Sequence, residues 1–294
     1  MLVREAVGRV ALLLMLSLLI AAPTRAKSYA ASGIILGIDR ERQLVEVSCQ
    51  AIPGYMDAIV MTIPARGRAA LDGLERGTLI DFVLAVSGDS AHAENIRIHV
   101  YQNTAQEPMQ TRQLEILDAA TSTASRVAPA LRVGQPVANF HLINQHREEI
   151  ALSDLTGKVV ALTFIYTKCP LPNFCFRMSN NFGKLHERFA RSMGKQLFLL
   201  TVSFDPVYDQ PEVLAEYART FTKDQTGWHF LTGELPEVQR LARSFGLNFW
   251  QDEGLLTHSL RTVIIGRDGR LVANLEGNDY TAKQLGDLVE AVLR

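Results

Sequence analysis

The chain has 294 residues, with 30 basic and 31 acidic side chains for a net charge of -1. That balance offers no field for a polyanion, so nucleic acid is excluded as a partner. Apolar residues make up 47% and charged residues 21%, the profile of a folded chain rather than a disordered one, and the length favours two domains.

The first segment reads as an address rather than as fold. Arg4 and Arg9 form a basic start, residues 10–22 are apolar or small, Pro23 breaks the run, and Thr24-Arg25-Ala26 supplies a small-residue cleavage site. This is the order of a secretory signal over residues 1–26. The run is short against the roughly 20 residues of a spanning helix. The body is therefore expected outside the cytoplasm, in the periplasm. If left uncleaved, this segment would be its one anchor to the inner membrane.

Residues 31–100 carry short β-prone runs at 33–38, 44–47, 79–84 and 96–100, separated by turn residues. Closely spaced short strands predict a small all-β domain, an OB-like barrel. Residues 101–130, rich in Gln, Thr, Ala, Ser and Pro, read as a linker. From 131 to 294 strands and helices alternate. Residues 159–166 form a largely apolar strand, as in a sheet covered on both faces. A helix follows over 176–192, a second apolar strand over 197–204, and a helix over 211–221 that opens on Pro211. Another helix spans 235–245, with Gly246 placed to stop it. Strands at 261–265 and 270–275 flank Gly266-Arg267-Asp268-Gly269. A last helix spans 281–293 with Thr281 as its N-cap. That order predicts a thioredoxin-like α/β domain.

Chemistry concentrates where the first apolar strand of this domain ends. Cys169 and Cys175 follow the strand and precede a helix. The positive end of a helix stabilises a thiolate, and Lys168 is expected to act in the same direction. Two thiolates held together bind a soft metal or close as a disulfide. Five residues separate the cysteines, and Pro170 and Pro172 among them preclude a regular helix. The segment is predicted to be an extended loop that doubles back, with Cys175 near the helix start.

Residues 164–175 resemble the active loop of the Sco/SenC family of copper-binding, thioredoxin-like proteins. Three further segments agree: residues 131–154 with the family's opening hairpin, Ser203-Phe204-Asp205-Pro206 with Asp209 and Pro211, and residues 256–262 around His258. The resemblance implies a copper site, Cu(I) or Cu(II), on Cys169, Cys175 and His258. It makes Asp205 a candidate for supporting that site or docking a partner. The usual family pattern has three residues between the cysteines followed by proline; here there are five, and Phe176 stands where the proline would be. His186 and His229 read as ordinary helix-face and strand-flanking residues.

A second sulfur cluster lies in the N-terminal region. Cys49, Met56 and Met61 offer soft donors around an Ile52-Pro53-Gly54 turn, and are a tentative second copper site. Methionines filling a small core explain Met56 and Met61 equally well. On one regular strand Met56 and Met61 would face opposite sides, so sharing a site requires a bulge or that Met56 belong to the turn. Residues 32–99 resemble a CusF-like copper-binding module, with cysteine at 49 where that pattern has histidine and Ile59 where it has methionine.

The resemblance implies a periplasmic copper metallochaperone rather than a turnover enzyme. Its partner would be the copper-site subunit of cytochrome c oxidase or another periplasmic cuproprotein. The alternative is a thiol–disulfide oxidoreductase, in which Cys169 and Cys175 form a reversible disulfide. A thiol peroxidase is the weakest reading, since no peroxidase-like Pro-x-x-x-Thr/Ser-x-x-Cys pattern precedes Cys169.

Overall fold

The structure is a computed structural model that describes residues 27–101, 130–247, 249–252 and 255–294. The expected signal over 1–26 and most of the expected linker lie outside the described residues. Among the described residues no helix is long and apolar enough to cross a membrane.

Residues 27–98 build a five-stranded antiparallel sheet from β1 (Lys27–Asp39), β2 (Leu44–Cys49), β3 (Ile59–Pro64), β4 (Leu79–Ser87) and β5 (Ser90–Ile98), in the order β3-β2-β1-β4-β5. Alternation decides its inner face: Val45, Val47 and Cys49 of β2 are buried together with Ile35, Ile80, Phe82 and Leu84. The sheet curls until its edges meet, with Ala65, just past β3, bridging Ala93 of β5 in parallel. The all-β character expected here is present, and β1 and β5 run longer than the apolar runs that signalled them.

The second unit has a seven-stranded mixed sheet. Its strands are β6 (His141–Asn144), β7 (Glu149–Ala151), β8 (Val159–Ile165), β9 (Leu197–Ser203), β10 (Trp228–Thr232), β13 (Arg261–Ile265) and β14 (Leu271–Glu276), in the order β14-β13-β8-β9-β10-β6-β7. Strands β8, β9 and β10 are parallel; β13 and β6 flank them antiparallel. Every residue of β8 is buried, as its unbroken apolar sequence requires of a strand covered on both faces. The helices are α1 (Arg177–Arg188), α2 (Pro211–Phe221), α3 (Leu235–Ser244) and α4 (Ala282–Leu293). Gly246, at φ +75°, follows α3, and the Thr281 hydroxyl accepts the Gln284 N–H to cap α4. This strand–helix–strand core with a closing antiparallel hairpin and helix is the mixed α/β arrangement expected.

Two elements carried no clear sequence signal. One is strand β10, and His229, expected to flank a strand, lies within it; the other is the separate two-stranded hairpin of β11 (Phe249–Asp252) and β12 (Leu255–His258). Both are too short for a period to show.

Candidate metal centre

The cysteine loop leaves the sheet at the end of β8. Thr167 stops the strand, and its N–H and hydroxyl both donate to the Asp209 carboxylate, the N–H at 3.0 Å. The Cys169 N–H returns to the Tyr166 carbonyl at 3.3 Å. Residues Pro172–Phe176 then form one wide helical turn, kinked at Phe174 (φ -109°, ψ -109°), which runs into α1. The prolines and this kink let five intervening residues double back instead of winding on. Cys175 thus sits on the turn that leads into α1, as expected, and Cys169 returns to meet it.

The β11–β12 hairpin supplies the third group. His258 pairs with Phe249 across that hairpin and is 4% exposed. Its ring is walled by Phe204 at 4.5 Å between centroids and Tyr166 at 5.7 Å, with Phe174 further out at 6.5 Å. Nδ1 donates to the Ser259 carbonyl at 2.9 Å, which fixes the tautomer and leaves the Nε2 lone pair facing inward. Nε2 lies 3.9 Å from the Cys175 sulfur. The two sulfurs and the imidazole nitrogen all fall within 4.8 Å of one another. Small movements would bring three soft or borderline donors onto one ion.

The two thiols are unequal. Cys169 is half-buried and its pKa is lowered to about 4, chiefly by the hydrogen bond from Cys175; burial opposes the shift, while His258 and backbone groups assist it. Cys175 is buried, and desolvation pushes its thiol up. A single proton shared across the pair is the natural result of like charges in one small site. The Lys168 ammonium sits 3.3 Å over the Tyr208 ring. All three cysteines are free thiols.

Asp205 is half-buried and builds its turn through the main chain, its carbonyl accepting the N–H groups of Tyr208 and Asp209 at 3.2 and 2.8 Å. The carboxylate that reaches the cysteine loop belongs to Asp209. It is fully buried, accepts from Thr167 twice and from the Ser203 hydroxyl, and is raised by desolvation. Sequence reasoning quoted Asp209 only as part of a motif. Its place four residues after Asp205 and just before the Pro211 helix start was the signal. Asn278 was missed: its amide donates to the Asn173 carbonyl, inside the cysteine loop. His186, an ordinary buried residue, donates its Nε2–H to the Thr226 carbonyl at 3.1 Å, and His229 stacks on Phe198.

The N-terminal sulfurs are placed differently. Cys49 is fully buried in the small sheet's core, and desolvation raises its thiol to about 11. Met56 bridges Ile52 and belongs to the turn, where Gly54 takes φ +75°. The conflict over strand facing therefore does not arise. Met61 pairs with Val47, two residues from Cys49 on the same face of the sheet. Both methionines are half-buried against that core.

Comparison with known proteins places this geometry in context. Residues 130–293 match the family described as SCO1/SenC. A Stutzerimonas stutzeri protein named for copper binding is 27% identical over 140 residues, covering 46% of this chain and 66% of its own length. A Bacillus subtilis SCO1 protein homolog is 26% identical over 149 residues, 49% of this chain and 76% of its own. The aligned stretch is thus just short of two thirds of the first relative. Among solved structures, a SCO1/SenC family lipoprotein from Bacillus anthracis aligns with TM-score 0.49 at 23% identity, over 55% of this chain and all of its own.

Proposed function

The chain belongs to the SCO1/SenC family, and from that premise we propose that it is a periplasmic copper carrier that holds one copper ion on Cys169, Cys175 and His258 and passes it on. The observation that carries this reading is the convergence of the two sulfurs and Nε2 within 4.8 Å of one another. The donor set suits copper in either oxidation state: thiolates favour Cu(I), and the imidazole adds a ligand that Cu(II) prefers. Binding requires both thiols as thiolates. Cys169 is already disposed to lose its proton; Cys175 would release its own to solvent on binding. The fixed tautomer of His258 spares that ring any reorganisation. The acceptor would be the copper-site subunit of cytochrome c oxidase or another exported cuproprotein. The basic start and apolar run of residues 1–22 support export.

Anaerobic Cu(I) titration of the full chain against a competing chelator, with a thiol count before and after, tests the reading. One tight equivalent that disappears in Cys169→Ser and in Cys175→Ser is expected. His258→Ala should weaken Cu(II) more than Cu(I). A double Cys→Ser variant that binds copper as tightly as the wild type would overturn the assignment.

The inequality of the thiols favours a second reading, thiol–disulfide exchange. A thiolate at Cys169 would attack a partner's disulfide, and Cys175 would resolve the mixed disulfide. Mass spectrometry of the metal-free chain in air, looking for the loss of two hydrogens, tests it.

A CusF-like role for the N-terminal sheet rests on Met56 and Met61, which pack half-buried against the core that contains Cys49. The high Cys49 pKa favours the thioethers as its donors. In a Cys169→Ser, Cys175→Ser background, residual Cu(I) binding should fall when Met56 and Met61 are changed to Leu; if it does not, the N-terminal sheet is structural.

A further inference from the structure

The segment between β14 and α4 touches both the N-terminal sheet and the cysteine loop. On one side, Tyr101 lays its ring against Gly277, where φ is +72° and a Cβ would overlap the ring. Gln50 donates to the Asp279 carbonyl at 3.1 Å. His99, one residue past the end of β5, lies between two carboxylates: Nδ1 is 2.7 Å from Asp81 of β4, and Nε2 is 3.1 Å from Asp279. On the other side, the neighbouring Asn278 donates to the Asn173 carbonyl, two residues before Cys175. Asn278 is buried, while Asn173 on the loop is exposed.

A carboxylate only accepts hydrogen bonds. Two carboxylates on one imidazole therefore need both ring nitrogens to carry hydrogen, which only the imidazolium form provides. A neutral ring keeps one N–H. The shorter bond, to Asp81 within the same sheet, retains it. The longer bond to Asp279 is then lost, and a lone pair faces that carboxylate. Arg97 stands opposite Asp81 in the sheet, while Arg177 and Glu276 lie around Tyr101. Burial works against the proton on His99, but the hydrogen bonds to Asp81 and Asp279 outweigh it and raise the group.

We propose that His99 is a proton-dependent fastener by which the N-terminal sheet positions the cysteine loop, gripping Asp279 so that Asn278 holds Asn173 in place. The two units of the chain are then not merely joined. The state of one ring in the first sets how firmly the loop bearing Cys175 is held in the second. The fastener is complete below the roughly 6.5 of a free imidazole and is released as pH rises through the higher folded value.

The test uses the full metal-free, reduced chain and does not depend on copper. Hydrogen–deuterium exchange of residues 170–176 and 277–281 is measured at about pH 5.5 and about pH 8.5, on either side of that imidazole value, with intrinsic rates corrected for pH. In the wild type, protection of both segments should drop several-fold at the higher pH. In His99→Gln it should be equal at both, at the wild type's high-pH level. Ser48→Ala, which removes a 2.6 Å hydrogen bond from Ser48 to Asp287 elsewhere in the contact, should keep the pH dependence. Protection in the wild type that does not change with pH, or a dependence that persists in His99→Gln, would overturn the proposal.

Discussion

Replacing Asp209 separates its charge from its geometry. One oxygen, Oδ2, accepts from the Thr167 N–H at 3.0 Å and from the Ser203 hydroxyl; the other, Oδ1, accepts from the Thr167 hydroxyl. In Asp209→Asn the amide oxygen can take the place of Oδ2 and keep two of these bonds. The amide nitrogen takes the place of Oδ1, and the Thr167 hydroxyl turns from donor to acceptor. Every partner stays satisfied. Asp209→Ala leaves three donors around a fully buried site without an acceptor. At roughly 1–2 kcal/mol for each donor so stranded, the loss is about 3–6 kcal/mol, a large part of a typical total stability of about 5–15 kcal/mol. Charge adds a second contrast. Burial raises Asp209, so the part of its contribution that is linked to protonation is fully present below the unfolded value of about 3.9 and is lost as pH rises through the folded one, while the hydrogen bonds it accepts remain. The asparagine variant escapes that loss. Urea unfolding at neutral pH, followed by the fluorescence of buried Trp228, should therefore place Asp209→Asn within about 1 kcal/mol of the wild type and Asp209→Ala far below. An asparagine variant as damaged as the alanine one would refute the reasoning and show that the negative charge itself holds the loop.

Three further outcomes are expected. Iodoacetamide at pH 6, without oxygen, should label one thiol per folded chain, against three in urea at about pH 8.5, because Cys169 is lowered to about 4 while Cys175 and Cys49 are buried and raised; mass spectrometry that finds two labels on the folded chain would contradict the inequality of the pair. Gly277→Ala should cost at least about 1 kcal/mol from its left-handed φ of +72° alone, and more from the clash with Tyr101, with Tyr101 becoming accessible to nitration. Cys49→Ser should destabilise the chain by about 1–3 kcal/mol in urea titrations, since it places a hydroxyl in an apolar core, whereas Cys49→Ala should cost less.

Much of the metal centre was legible because each residue carries a local signal. Cys169 and Cys175 follow an unbroken apolar strand, the prolines between them preclude a regular α-helix, and His258 precedes the β13 strand. Their convergence was not legible. It depends on the β11–β12 hairpin, whose four-residue strands show no period, and on a kink at Phe174 that nothing in its side chain announces. The seat of Lys168 over Tyr208 was not legible, since that ring comes from forty residues further on. Asp205 and Asp209 could not be ranked from sequence, since only burial tells which carboxylate points inward. Asn278 and His99 act across distances in the chain at which no pattern search operates.

Strand β1 turns its two faces to different interiors. Ile35 packs with Val45, Val47 and Phe82 inside the N-terminal sheet, while Ile34 and Leu36 on the other face belong to the same apolar cluster as Phe140, Val160 and Leu288. One strand is thus a party wall between two cores. Neither unit can melt without stripping one face of the other's support, so the chain should unfold in a single cooperative step despite its two sheets. A cut placed in the connecting segment would not yield two self-sufficient halves: the fragment ending near residue 101 would expose Ile34 and Leu36, and the remainder would lack two side chains of its own core.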